Sequence, residues 1–232
     1  RDSGIAVTMI DGLSDGLPGV PPAAALDPEV RALMPPDVLD PPDEARCLRT
    51  AKALGSKMLN VAAYRGVVVP VEEMAQALRG LSRRAAAQGV GIAIEFIPES
   101  GIPDIHRARQ VWEACAEPNC GLMVDMFHLC RSGGTVEDLR RLPPGAIAGV
   151  QISDRDPGPY VHVPMGGRLL PGDGGLPLVE LVTAALENNL GAIVDLEVLN
   201  ADLNALSLDE ATRRLAAAAK SWREVFESLK PH

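Results

Sequence analysis

Aromatic residues supply only 3% of this 232-residue sequence, so its core must be built from Ala, Val, Leu and Ile within a 47% apolar composition. Cysteine spacing is equally uninformative for metals. Cys47, Cys115, Cys120 and Cys130 form no C-x-x-C pair and no zinc-finger pattern, which reads as free thiols in a reducing cytoplasm. Positive charge is scarce: 22 Lys and Arg face 31 Asp and Glu, for a net charge of −9. Affinity for a phosphate backbone comes from clustered basic side chains, so this balance argues against a nucleic-acid partner. No apolar run reaches the ~18 residues of a membrane span, and no signal peptide is visible. What remains is a chain long enough for one sizeable core, read as one domain over residues 1–232. It begins on Arg1, and a strand pattern follows almost at once, so further residues are expected upstream.

Short apolar runs alternate with amphipathic stretches. Strands are predicted over Ile5–Ile10, Lys57–Ala63, Gly91–Ile97, Gly121–Phe127, Ile147–Ile152 and Ala192–Val198. Each is nearly continuous in apolar residues, the pattern of parallel strands covered on both faces. Helices are predicted over Asp43–Leu54, Val71–Gln88, Ile105–Cys115, Val136–Leu142, Leu178–Asn188 and Leu208–Leu229. The last begins at Ser207-Leu208-Asp209-Glu210, which fits a capping box, and carries a stripe of Leu208, Ala211, Leu215, Ala218, Trp222, Val225 and Leu229. Strict βα alternation means a parallel sheet, either doubly wound or closed into a barrel. A (βα)8 barrel takes ~250 residues, so six units fit a TIM barrel lacking its first two. Residues 14–42 break the rhythm. Pro18, Pro21, Pro22, Pro28, Pro35, Pro36, Pro41 and Pro42 mark a long irregular loop, read either as a surface insertion or as a lid.

Four strands end on a polar residue: Ile94-Glu95-Phe96, Val124-Asp125-Met126, Val150-Gln151-Ile152 and Leu196-Glu197-Val198. Side chains alternate along a strand, so Glu95, Asp125, Gln151 and Glu197 oppose the fully apolar sets that would pack on helices. They would share the barrel interior at its C-terminal mouth, where barrel enzymes place their sites. Three carboxylates converging without partners would repel. A divalent cation resolves this, and ligation by oxygen without thiolate suits Mg²⁺ or Mn²⁺.

These stretches, with Gly121-Leu122-Met123-Val124-Asp125-Met126-Phe127-His128 and Arg168-Leu169-Leu170-Pro171-Gly172-Asp173-Gly174, resemble the xylose isomerase-like TIM barrels of the sugar phosphate isomerase/epimerase group. The likeness covers roughly residues 43–229, with its polar positions 30, 26 and 46 residues apart. It implies metal ligands at Glu95, Asp125, Gln151 and Glu197. It also implies that these strands are the third to eighth of the barrel.

Isomerising or epimerising a 2-hydroxy ketone removes a proton beside a carbonyl and passes through an enediolate. Glu95 and Glu197 are the expected acid–base pair. The resemblance makes His128 a substrate-oxygen or proton-shuttling group and Arg168 a substrate-binding fork. His162 lies in the long loop after Gln151 and is a further substrate-binding candidate. Arg131 is undecided, His106 belongs to a helix's first turn, and nothing beside Cys130 marks an activated thiolate.

The resulting expectation is a cytoplasmic, metal-dependent isomerase or epimerase of a small sugar or keto-polyol, with homo-oligomerisation left open. The alternative is a dehydratase acting on an inosose- or dehydroshikimate-like substrate, which begins with the same deprotonation. A silent barrel subunit and an endonuclease IV-like repair enzyme rank below these. The second needs a histidine-rich zinc cluster, and this chain has four histidines in all.

Overall fold

A computed structural model of the chain describes residues 4–21, 42–156 and 167–229. His162 and most of the proline-rich stretch lie outside these residues. The described chain alternates strand and helix: β1 (Met9–Leu13), α1 (Glu44–Leu54), β2 (Met58–Ala62), α2 (Val71–Ala86), β3 (Gly91–Glu95), α3 (Ile105–Cys115), β4 (Cys120–Asp125), α4 (Met126–Arg131), α5 (Val136–Arg140), β5 (Ile147–Ile152), α6 (Leu178–Asn188), β6 (Ile193–Leu196), α7 (Ala201–Asn204) and α8 (Leu208–Leu229). All five strand pairings are parallel, and the strands stand in sequence order from β1 to β6. A doubly wound sheet would reverse order at a switch point, so this monotonic order is that of a barrel wall. The wall curls: the Gln151 side chain on β5 donates to Asp11 on β1 at 3.1 Å.

Local chemistry sets the element ends. Asp43 and Asp104 cap α1 and α3 by accepting from the third residue on, and Thr135 and Asp138 form a reciprocal capping box on α5. Gly55 ends α1 at φ 77°, a left-handed position that favours glycine. In α2 the residues Met74, Ala75, Leu78, Leu81, Ser82 and Ala85 form the buried stripe. It faces a core that includes Ile92, Ile94, Leu122, Val124, Val150 and Ile152.

Three expectations change. The first strand is Met9–Leu13 rather than Ile5–Ile10, because its pairing with β2 begins at Met9↔Met58 and Ile5 stays 79% exposed. At α8 only one arm of the expected box forms: Glu210 N–H donates to Ser207 Oγ at 3.3 Å, while the Glu210 carboxylate pairs with Arg213 and Arg214. The α8 stripe buries Trp222 but leaves Leu208 exposed, with Ala211, Leu215, Ala218 and Val225 half-buried between. Helices α4 and α7 were not anticipated.

Candidate active site

The parallel register brings the polar strand ends together. Asp125 lies opposite Gln151, and Gln151 opposite Asp195. Glu95 closes β3, and Glu197 follows β6 directly, its N–H donating to the Ile152 carbonyl. Glu95, Asp125 and Gln151 are buried and Glu197 is half-buried. Asp125 also caps α4, accepting from His128 N–H at 2.8 Å. The chain therefore turns from strand to helix at once and delivers the His128 side chain into the same space. Oxygen and nitrogen atoms of Glu95, Asp125 and His128 lie within 4.8 Å of one another.

Arg168 is buried at the centre. Its Nη1 donates to Asp125 Oδ2 at 2.5 Å, Ser153 Oγ at 2.9 Å and the Glu197 carbonyl at 3.2 Å. Its Nη2 stands 3.0 Å from Glu197 Oε2 and 3.1 Å from His128 Nε2, and its guanidinium lies over the Phe127 ring at 4.7 Å. The loop bearing Arg168 is clasped from behind by Asp154. Asp154 exchanges backbone hydrogen bonds with Leu169, and its carboxylate accepts from the N–H groups of Arg155, Gly172 and Leu176. Gly174 fits against this clasp because a Cβ there would come within 2.3 Å of Asp154 Oδ1 and the Arg155 carbonyl. Asn200 Nδ2 donates to the Arg168 carbonyl at 2.7 Å.

Two residues here were missed by the sequence reading. Asn60, buried on β2, donates from Nδ2 to Glu95 Oε2 at 2.7 Å and to Asp11 Oδ1 at 2.8 Å. Asn60 carried a signal, being the lone polar residue within an apolar strand. Asp11 did not, because the predicted strand stopped at Ile10.

Electrostatics separate the carboxyls. Burial, with the like charges of Asp125 and Asp11, pushes Glu95 up to about 8. At Glu197 burial outweighs the attraction of Arg168, and the carboxyl rises to about 9. Burial acts on Asp125 too, but Arg168 and His128 overcome it and hold that carboxyl at about 2. Burial lowers His128 to about 4, so at neutral pH its imidazole is uncharged. One guanidinium thus stands among several acidic groups, and the side-chain oxygens Gln151 Oε1 and Asn60 Oδ1 are buried without a hydrogen-bond partner among the described residues. Orphaned oxygens beside carboxyl groups that burial keeps protonated fit an oxygen-seeking cation, which would restore the charge that desolvation opposes.

The sequence pattern of the xylose isomerase-like TIM barrel matches residues 43–232. The chain belongs to this family. One curated member, inosose isomerase of Halalkalibacterium halodurans, is 28% identical over 138 residues, 59% of this chain and 49% of that protein. The chain thus spans about half the length of the curated relatives it matches. Among solved structures, IolI protein with a binding zinc atom is 24% identical, with a TM-score of 0.68 over 80% of this chain and 68% of that one. L-ribulose 3-epimerase is 17% identical, with a TM-score of 0.62 over 92% and 74%. These structures share the barrel wall described above. No helix among the described residues is long and apolar enough to cross a membrane.

Proposed function

We propose that the chain is a divalent-metal-dependent isomerase or epimerase of a small keto-polyol. The observation that carries this reading is that Glu95, Asp125, Gln151 and Glu197 stand at the ends of four neighbouring strands, with Glu95 and Asp125 within ligand reach of each other and Gln151 Oε1 buried without a partner among the described residues. These four residues would hold the cation, with His128 beside Glu95 and Asp125. The oxygen-rich set suits Mn²⁺ or Mg²⁺, and the nearby imidazole is compatible with zinc, the metal in the IolI structure. When bound, the cation would polarise the carbonyl and neighbouring hydroxyl oxygens of the substrate.

The protein's own groups supply the proton transfers. Glu95 and Glu197 are the candidate acid–base pair, and a bound cation would favour their ionised, proton-accepting form. One glutamate removes the proton next to the carbonyl, and the other returns a proton to the adjacent carbon or to the opposite face. His128, neutral and 3.8 Å from Glu95, turns Nε2 toward the Arg168 Nη2 donor at 3.1 Å, which makes that nitrogen an acceptor beside the site. Arg168 keeps Asp125 ionised and offers its positive charge to the oxygen that gains charge on deprotonation. Inososes enter as candidate substrates because the curated relatives are inosose isomerases.

The test is to incubate the full chain with Mn²⁺ and an inosose or ketose in D₂O. Deuterium should appear at the carbon next to the carbonyl, with product mass otherwise conserved. Loss of water would assign a dehydratase on the same initial step. Absence of exchange across a panel of 2-hydroxy ketones would remove the enzymatic reading.

A further inference from the structure

We infer that Asp11 is a positioning residue that fixes which way the Gln151 amide faces. The inference deepens the metal-site reading above and rests on it. A hydrogen-bonded chain runs around the inner wall: Glu95 Oε2 accepts from Asn60 Nδ2, Asn60 Nδ2 also donates to Asp11 Oδ1, and Asp11 Oδ2 accepts from Gln151 Nε2. It links β3, β2, β1 and β5, although β1 and β5 are not sheet neighbours.

The direction of each amide follows from donor chemistry. Asn60 sits between two carboxyl groups, so its NH₂ must face them both. Its orientation is therefore locked from two sides. Gln151 donates to Asp11 at 3.1 Å, and Asp195, opposite it on β6, takes a further side-chain hydrogen bond from the same amide. A carbonyl turned toward Asp11 would set acceptor against acceptor, so Nε2 occupies that position and Oε1 is left elsewhere. Gln151 is fully buried, and Oε1 finds no protein partner. A free glutamine could present either end to a cation, and only the oxygen end ligates. Asp11 removes that ambiguity, as outer groups commonly do for metal ligands. Asp11 itself is exposed, so replacing it opens no cavity in the core.

The experiment titrates Mn²⁺ into the full chain by calorimetry, with thermal unfolding recorded for every variant. Asn at position 11 keeps one acceptor, and the locked Asn60 claims it. Its own NH₂ then faces Gln151, whose amide must turn over to accept from it. Asp11→Asn should therefore weaken Mn²⁺ binding, and combined with Asp195→Asn, which removes the second carboxylate on the same amide, the loss should reach about 10–100-fold with the fold retained. Asp11→Ser, which drops the carboxylate altogether, should also weaken it and serves as the second variant should Asp11→Asn not fold.

The deciding comparison repeats Asp11→Asn in a Gln151→Glu background. A carboxylate has no wrong end, and beside Asp11 it is repelled. There Asp11→Asn should raise Mn²⁺ affinity, reversing the sign. Equal losses in both backgrounds would show a general charge effect and overturn the inference. So would unchanged affinity in Asp11→Asn while the wild-type chain binds Mn²⁺, leaving the metal site itself intact. A wild-type chain that takes up no Mn²⁺ would overturn the metal site and this role together.

Discussion

The middle of the sheet and its two flanks follow the same side-chain alternation yet hold their residues in different environments. In β3 to β5, Ile92, Ile94, Leu122, Val124, Val150 and Ile152 are fully buried. In β1, Met9 and Ile10 are half-buried and Asp11 and Gly12 exposed. In β6, Ile193, Val194 and Leu196 are half-buried and Asp195 exposed. Central strands pair on both sides, whereas β1 and β6 each have one paired neighbour. Asp11, on a flank, stays exposed while accepting from Asn60 and Gln151. Glu95, in the middle, has lost water and shares Asn60 with Asp11. The chemistry of the site is thus concentrated where the sheet excludes solvent best.

That contrast can be broken most strongly at the acid–base pair. Glu197→Gln keeps size and one oxygen but loses the base, and turnover should fall ~10²–10⁴-fold while Mn²⁺ binding weakens but survives. His128→Ala should lower turnover with little effect on Mn²⁺ affinity. An equal loss of affinity would move the imidazole into the ligand set. Parallel measurements of deuterium exchange and metal titration read both outcomes.

Next in size is packing. Leu122→Ala should cost about 2–5 kcal/mol in urea unfolding, as for a filled core position. Leu196→Ala, on the half-buried flank, should cost roughly half that or less. Equal losses would mean that β6 is buried in solution.

The third contrast is with pH. In metal-free protein Glu95 and Glu197 hold their protons up to about 8 and about 9, whereas unfolded glutamates release theirs near ~4.3. Across that window the folded state binds more protons than the unfolded one, so stability should fall as pH rises from about 5 to about 9. Mn²⁺ should oppose the trend, because it favours the ionised carboxylates. Urea midpoints with chelator and with Mn²⁺ measure it, and a flat chelator profile would put both carboxyls in contact with water. The smallest effect belongs to Thr135→Ala at the rim, about 1 kcal/mol for a lost cap.

The sequence was most legible where its apolar pattern is most regular. Strand Ile147–Ile152 and helices Ile105–Cys115, Leu178–Asn188 and Leu208–Leu229 match their expected bounds, because long periodic or uniformly apolar runs leave little choice. The placement of Asp125 opposite Gln151 at neighbouring strand ends was legible from the alternation of side chains. The first strand was misplaced because an exposed flank lacks the apolar continuity that marks a covered one, and that error hid Asp11. Helix α4 was unreadable for another reason: Asp125 ends a strand and caps a helix with the same side chain, leaving no linker to see. The contacts of Arg168 depend on a return loop that joins residue 168 to residue 125 across 43 positions, a pairing that no local pattern encodes.

The Asp154 clasp has a bearing on how such a barrel changes over evolutionary time. The backbones of Asp154 and Arg155 bind Leu169 and Gly175, and the Asp154 carboxylate binds the N–H groups of Gly172 and Leu176, so the loop bearing Arg168 is held at one tied knot. Sequence drift elsewhere in the chain would then leave the guanidinium at its station. The clasp separates the inheritance of the chemistry from change in the rest of the molecule.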